Sequence, residues 1–316
     1  MSKALSVSAF CFCGLLVACG PAMRDGDDGM GGNGSGNGSG GGSDVTGTPR
    51  QCDKMDIVFV VDNSGSMQEE QSNLASNFPM FASLLKSYTV NNGQPLDFRV
   101  AITTTGRTID YNIDLGGGFG TFPEHEDGQN GAFQNNCNSP KRWLDPTDPS
   151  LGTTLGCRAN VGTSGPSVEM PMLMSKWSLS DRVADGTNAG FLRDDALLAI
   201  VILTDEDDQS TTQNNFTMDA NGNSPTDWNP ADEVNYLDQL KGDRSRWAAG
   251  VIAGDGDCSS SFGSAANGAR LKEFVTTANG QNSTQAVFSS ICEGNLTTGL
   301  KAALDTFQAA CGQIIL

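Results

Sequence analysis

Short, almost unbroken apolar runs recur along this chain from residue 55 onward, and they limit what it can fold into more than any other feature. The runs 55–61, 99–104, 198–204, 248–253 and 286–291 are rich in Val, Ile, Leu, Phe and Ala and end at turn residues. A strand with one wet face alternates apolar with polar residues. A strand that is apolar at nearly every position needs cover on both faces, as in a parallel sheet between two layers of helices. Helical stripes alternate with the runs. Leu74, Phe78, Phe81, Leu85 and Tyr88 form one, with Pro79 inside it predicting a kink or a restart. Asn229-Pro230, then Val234, Leu237 and Leu240, then Gly242, reads as cap, first turn, stripe and stop. Leu271, Phe274, Val275 and Ala278 before Gly280 form another stripe, and Leu296, Leu300, Leu304 and Phe307 the last. The expected fold class is α/β: a doubly wound, mostly parallel sheet flanked by helices, with ligands at the carboxyl ends of the strands.

The amino-terminal part has no such pattern. Residues 20–47 are dominated by Gly, Ser, Asn and Asp and carry too little apolar surface to offset chain entropy. Before them come Lys3, an apolar run over 4–17 and small residues up to Cys19, the parts of an export signal too short to span a bilayer. Leu16-Val17-Ala18-Cys19 resembles the lipobox of bacterial lipoproteins, which implies that Cys19 becomes a lipidated first residue. The expected organisation is a signal peptide over 1–18, lipidated Cys19 with a flexible linker over 19–51, and one domain over 52–316. That places the protein in the cell envelope, lipid-anchored, with the outer membrane as the expected site on either its periplasmic or its outer face.

Six of the nine cysteines lie in the domain: Cys52, Cys137, Cys157, Cys258, Cys292 and Cys311. An even number in an exported chain reads as three disulfides. The expected pairs join neighbours, Cys137–Cys157 and Cys258–Cys292, and leave Cys52–Cys311 to staple the ends. A structural zinc site is disfavoured, because there is no Cys-x-x-Cys pair and only one His. A formal net charge of −18 argues against a nucleic-acid partner, whose phosphates need a basic face. Membrane contact is expected through the lipid anchor only. The segment 107–150 is polar, Gly-rich and without period, and is read as an insertion on the sheet rim.

Directly after the first run comes Asp62-Asn63-Ser64-Gly65-Ser66-Met67, with a helix to follow. The strand delivers Asp62 to the carboxyl edge of the sheet, and the turn sets two hydroxyls and a carboxylate around one point. Oxygen donors of this kind suit hard cations. The arrangement resembles the metal-ion-dependent adhesion site (MIDAS), Asp-x-Ser-x-Ser, of von Willebrand factor A (VWA) and integrin inserted domains. Two further loops follow in the family's order. Gly162-Thr163 looks like the loop that supplies the threonine, with Ser164 and Ser167 as rivals. Asp205, ending the run 198–204, stands where the family places its second acid. The resemblance implies a VWA domain holding Mg²⁺, or Mn²⁺ or Ca²⁺, through Asp62, Ser64, Ser66, Thr163 and Asp205. One coordination position would stay open for an acidic side chain of a partner protein. The acid-rich run Asp205-Glu206-Asp207-Asp208 reads either as a second cation site or as a solvated loop. Asp219, Asn221 and Asn223 have the alternate spacing of a calcium loop but lack its twelfth-position Glu.

Catalytic patterns are weak. Ser83-Leu84-Leu85-Lys86 lies inside a helical stripe with no Lys-Thr-Gly to follow, and no nucleophile elbow, Walker loop or dinucleotide fingerprint is present. His125, the one histidine, sits in the polar insertion. The expected function is therefore metal-dependent binding without catalysis. The alternatives are an envelope structural protein whose cation only stabilises the fold, and a metal-dependent hydrolase.

Overall fold

The computed structural model describes residues 52–90, 93–260, 263–280 and 284–312. The signal peptide, the linker and Cys19 expected from the sequence lie outside the described residues. In chain order the elements are β1 (Lys54–Val61), α1 (Gln68–Ser87), β2 (Asp97–Thr104), β3 (Ile109–Asp114), β4 (Thr121–Glu126), α2 (Leu151–Ala159), α3 (Pro171–Leu179) and α4 (Asp181–Ala184). They continue with β5 (Leu197–Leu203), β6 (Phe216–Met218), α5 (Pro230–Lys241), β7 (Trp247–Ala253), β8 (Cys258–Ser260), β9 (Gly263–Ala265), α6 (Ala269–Asn279), β10 (Ala286–Ser290) and α7 (Leu296–Cys311).

The central sheet has the order β10-β7-β5-β1-β2, and all its pairings are parallel. Each predicted apolar run is one of its strands. The period of two shows in which face each residue serves. Ile57, Phe59 and Val61 of β1, with Leu197, Ala199, Val201 and Leu203 of β5, pack among the stripes of α1, α2 and α7. Val58, Val60, Leu198, Ile200 and Ile202 pack on the other face among α3, α5 and α6. This is a doubly wound α/β fold of the VWA/Rossmann-like kind, and the fold class read from the sequence holds. Phe59 anchors the first face, meeting Phe78 and Phe81 edge-on with ring centroids 4.8 and 5.3 Å away.

The amino edge of the sheet neutralises its own buried acid. Asp56, fully buried in β1, accepts 2.8 and 2.7 Å bonds from the Arg193 side chain and backbone N–H, and Arg193 also bridges to Asp97 at 2.7 Å. Three disulfides form in the expected pairing, Cys52–Cys311, Cys137–Cys157 and Cys258–Cys292, with Cα separations of 5.0, 6.1 and 6.2 Å.

Two expectations change. Pro79 does not restart the first helix: α1 runs through it for 20 residues. The carbonyl of Ala75, which a proline at 79 cannot engage, faces α2 where it passes at Gly156; a Cβ there would lie 2.7 Å from that oxygen. The segment 107–150 is also not without elements. β3 and β4 form an antiparallel hairpin that β6, about 90 residues later, extends in parallel into a second, three-stranded sheet. Its remainder covers the edge of the main sheet, with Val100 and Leu144 exchanging two 2.8 Å backbone bonds. Polarity hid the strands because every residue of β4 but one is exposed.

Candidate metal centre

Between β1 and β5 the chain changes direction across the sheet: β2 lies on one side, and β5, β7 and β10 on the other. The crevice at the carboxyl ends of these two strands is the topological switch point, where doubly wound sheets bind ligands. Asp62 emerges there from β1, its N–H donating to the Leu203 carbonyl of β5 at 2.9 Å. Its carboxylate shapes the turn that follows. The Ser64 N–H donates to Asp62 Oδ1 at 2.7 Å, an Asx turn, and the Thr204 hydroxyl donates to Oδ2 at 2.6 Å. The turn sets Ser64 Oγ and Ser66 Oγ 3.0 Å apart. Asp205 lies beside Ser66, and its Oδ1 is buried without a partner. Asp62, Ser64, Ser66 and Asp205 thus meet at one rim, the first, second and last of them buried.

The loop over 160–170 is stitched to this turn by its backbone. Gln71 of α1 donates to the carbonyls of Asp62 and Gly162 at 2.8 and 2.5 Å, and Gly165 N–H donates to the Asn63 carbonyl at 2.8 Å. Thr163 lies exposed at the tip of this loop, and among the described residues its hydroxyl makes no hydrogen bond to the other four side chains.

Sequence reasoning missed several side chains that define the site. Thr204 and Gln71 orient Asp62 as above. Glu169 is fully buried beside the Asp62 carboxyl and the Thr105 hydroxyl, and neither of its oxygens has a hydrogen-bond partner. An acid bracketed by Val168, Met170 and Met172 is the one signal that pointed to it. Glu70 and Glu206 complete the group. Burial, and then the neighbouring Asp62 charge, pushes Asp205 up to about 6 and Glu206 to about 7. Burial likewise raises Glu70 to about 7, and raises Asp62 and Glu169 as well.

The acid-rich run 205–208 divides its work. Asp205 and Glu206 face the crevice. Asp207 accepts from Arg270 N–H and Leu271 N–H at the start of α6, and Asp208 accepts from Met172 N–H in the first turn of α3 at 3.0 Å. Two of the four acids are therefore helix caps rather than part of a second cation site or a solvated loop. Asp219 serves its own turn, accepting from Asn221 N–H and Asn223 N–H at 2.9 Å.

One glycine holds the far wall. A Cβ on Gly254, just past β7, would lie 1.8 Å from the Ala266 carbonyl oxygen, a main-chain atom that no side-chain rotation can move. Ala266 N–H in turn donates to the Asp205 carbonyl at 2.8 Å. Gly254→Ala should therefore push residue 266 and Asp205 outward, at a cost of about 3 kcal/mol. A thermal melt measures the loss, and an unchanged midpoint would contradict the packing.

Among the described residues no three His, Cys, Asp or Glu side chains converge as metal ligands. A donor set of two serine hydroxyls with carboxylates at their margin is of another type. All its atoms are oxygens, Asp205 Oδ1 is unpartnered, and the chemistry fits a hard divalent cation.

No family model matches the sequence, and no curated protein is similar to it. Solved structures with a similar fold include proximal thread matrix protein 1 from the mussel byssus. It is 15% identical with a TM-score of 0.39, over 82% of this chain and 49% of that one. The pilus adhesin SpaC from Lactobacillus rhamnosus GG is 10% identical, TM-score 0.40, over 81% of this chain and 31% of that one. Manganese-loaded TRAP protein from Plasmodium vivax is 10% identical, TM-score 0.38, over 81% and 74%. The chain spans about half the length of the first and a third of the second. The likeness extends to the fold alone.

Proposed function

We propose that this chain is a lipid-anchored cell-envelope protein that binds a protein partner through a divalent cation, Mg²⁺ in the first instance, held at the rim by Ser64, Ser66, Asp62 and Asp205, with Thr163 on the adjoining loop. One observation carries the reading. Asp62, Glu70, Glu169, Asp205 and Glu206 are all buried or half-buried around the crevice, and among the described residues none of them forms an ion pair. The amino edge of the same sheet pairs its buried Asp56 with Arg193. Buried charge without a counter-charge is costly, and a bound cation is what such a cluster lacks.

Each residue has a definite task. Ser64 and Ser66 offer neutral hydroxyl oxygens, so a bound cation keeps most of its charge and can attract a carboxylate from the partner. Asp62, with both oxygens already accepting hydrogen bonds from its own chain, orients the turn and acts on the site through water. Gln71 locks the Asp62 and Gly162 carbonyls together, so the two loops keep their spacing. The one histidine, His125, stands on β4, 2.7 Å from Asp110 and 3.4 Å from Asp127, so no imidazole serves the crevice. A cation held by neutral hydroxyls polarises bound water less than a His-rich zinc site does, which favours binding over hydrolysis.

Calorimetry with Mg²⁺, Mn²⁺ and Ca²⁺ tests the reading. One site is expected in the wild-type protein and none in Asp62→Ala, with the far-UV circular dichroism unchanged. Absence of heat for all three cations with the wild type, or undiminished binding by the variant, would end it. Partner binding that survives chelation would leave the cation a structural role only.

A further inference from the structure

The second sheet is clasped to the loop over 160–170 beside the candidate metal centre. Glu126, the last residue of β4, receives the Ser167 hydroxyl on Oε1 at 2.6 Å, and the Ser167 N–H on both oxygens at 3.1 Å. Tyr111 of β3 adds its hydroxyl to Oε1 at 3.1 Å. Tyr111 is itself buried and stacks on Phe216 of β6 with ring centroids 5.5 Å apart, so the carboxylate rests on a packed platform. Ser167 belongs to the loop that carries Thr163 and leads to Glu169. Beside it Pro166 presses on Gly106, where an added Cβ would lie 2.5 Å from the Pro166 ring. The loop has no regular structure of its own, so its shape depends on its ties: Gln71 and Asn63 on one side, Thr105 and Gln209 at its end, and Glu126 on the other.

We infer that Glu126 is a positioning residue for the cation site: through Ser167 it sets the loop over 160–170 against the Asp62 turn. The inference rests on the metal reading above. A carboxylate taking three donors at fixed angles orients a loop more strictly than a single neutral bond does, and residues one shell behind a metal site commonly tune its affinity about tenfold or more.

Mn²⁺ titrated into the full chain, followed by calorimetry, is the test. Glu126→Ala is expected to raise the Mn²⁺ dissociation constant about tenfold. Glu126→Gln, which keeps one acceptor oxygen, should recover part of that loss. Glu124→Gln, on the same strand, should match the wild type. Ser167→Ala, which keeps the backbone N–H bonds to Glu126, should weaken Mn²⁺ less than Glu126→Ala does, and the double variant should be no worse than Glu126→Ala alone. Wild-type affinity in Glu126→Ala or Ser167→Ala would overturn the inference, whatever either change does to the melting temperature. Should Glu126→Ala fail to fold, the milder Ser167→Ala decides by itself. A wild-type chain that takes up no Mn²⁺ would instead overturn the metal reading.

Discussion

Replacing Cys52 and Cys311 together by alanine is expected to lower the unfolding free energy by about 5 kcal/mol, the largest loss from any of the three disulfides. The bond closes a loop across a sequence separation of 259, against 34 for Cys258–Cys292 and 20 for Cys137–Cys157. Chain-entropy reasoning makes the unfolded-state constraint grow with the logarithm of loop length, so the other two pairs contribute about 4 and 3 kcal/mol. Position adds to the effect. Cys52 lies just before β1, the strand that carries Asp62, and Cys311 ends α7, which packs along the sheet. Without the bond the two ends of the domain lose their covalent tie to each other, and the start of the domain keeps the Asp97 N–H to Asp53 carbonyl bond at 2.9 Å. Urea denaturation of the three double-alanine variants measures the order. An equal loss for all three, or a smallest loss for Cys52/Cys311, would contradict the entropic account.

In chelator the protein should lose stability steadily as the pH rises from about 4.5 to 8. The sign follows from proton counting. Asp205 and Asp208 titrate near 6, Glu70 and Glu206 near 7, and Glu233 near 8, every one raised first by burial. Between their ordinary values and these, the folded chain holds more protons than the unfolded one, so each step up in pH favours unfolding. Lys241, lowered by burial to about 8, acts in the opposite sense only above that pH. A tenfold change in the proton affinity of one buried group is worth about 1.4 kcal/mol, so a fall of several kcal/mol, roughly 10 °C in melting temperature, is expected over the window. Saturating Mg²⁺ favours the ionised carboxylates of the crevice, so it should raise the melting temperature far more at pH 8 than at about pH 5.5. Asp208 and Glu233 lie in the buried polar layer between α3, α5 and α6, and their share should persist when the cation is present. Melting curves at the two pH values, with chelator and with Mg²⁺, give the four numbers needed. A flat profile in chelator, or an equal Mg²⁺ increment at both, would remove the electrostatic basis for the proposed site.

How much of this was legible beforehand depends on the range over which each feature is decided. Strands β1, β2, β5, β7 and β10, and the stripes of α1, α5, α6 and α7, follow from periodicity within about ten residues, because burial on two faces or one stripe leaves its mark in the local order of side chains. Asn229 and Gly242 bound α5 as a cap and a left-handed stop for the same local reason. Asp62 at a strand end, with serines two and four residues on, was equally local.

Tertiary structure alone decided the rest. Which acids of 205–208 turn to the crevice and which cap helices depends on where α3 and α6 begin, far along the chain in either direction. Glu169 and Gln71 became part of the site only when the loop over 160–170 came back to the Asp62 turn, about 100 residues from where that turn is made. The hairpin of β3 and β4 stayed hidden because its third strand, β6, lies beyond β5, and its wet face gives no apolar run. Pattern in a chain records which side of an element is buried; it does not record what faces that side. Pairing across long sequence separations is set by packing, and here packing brought the ends of β1 and β5 and the loop over 160–170 to one rim of the sheet.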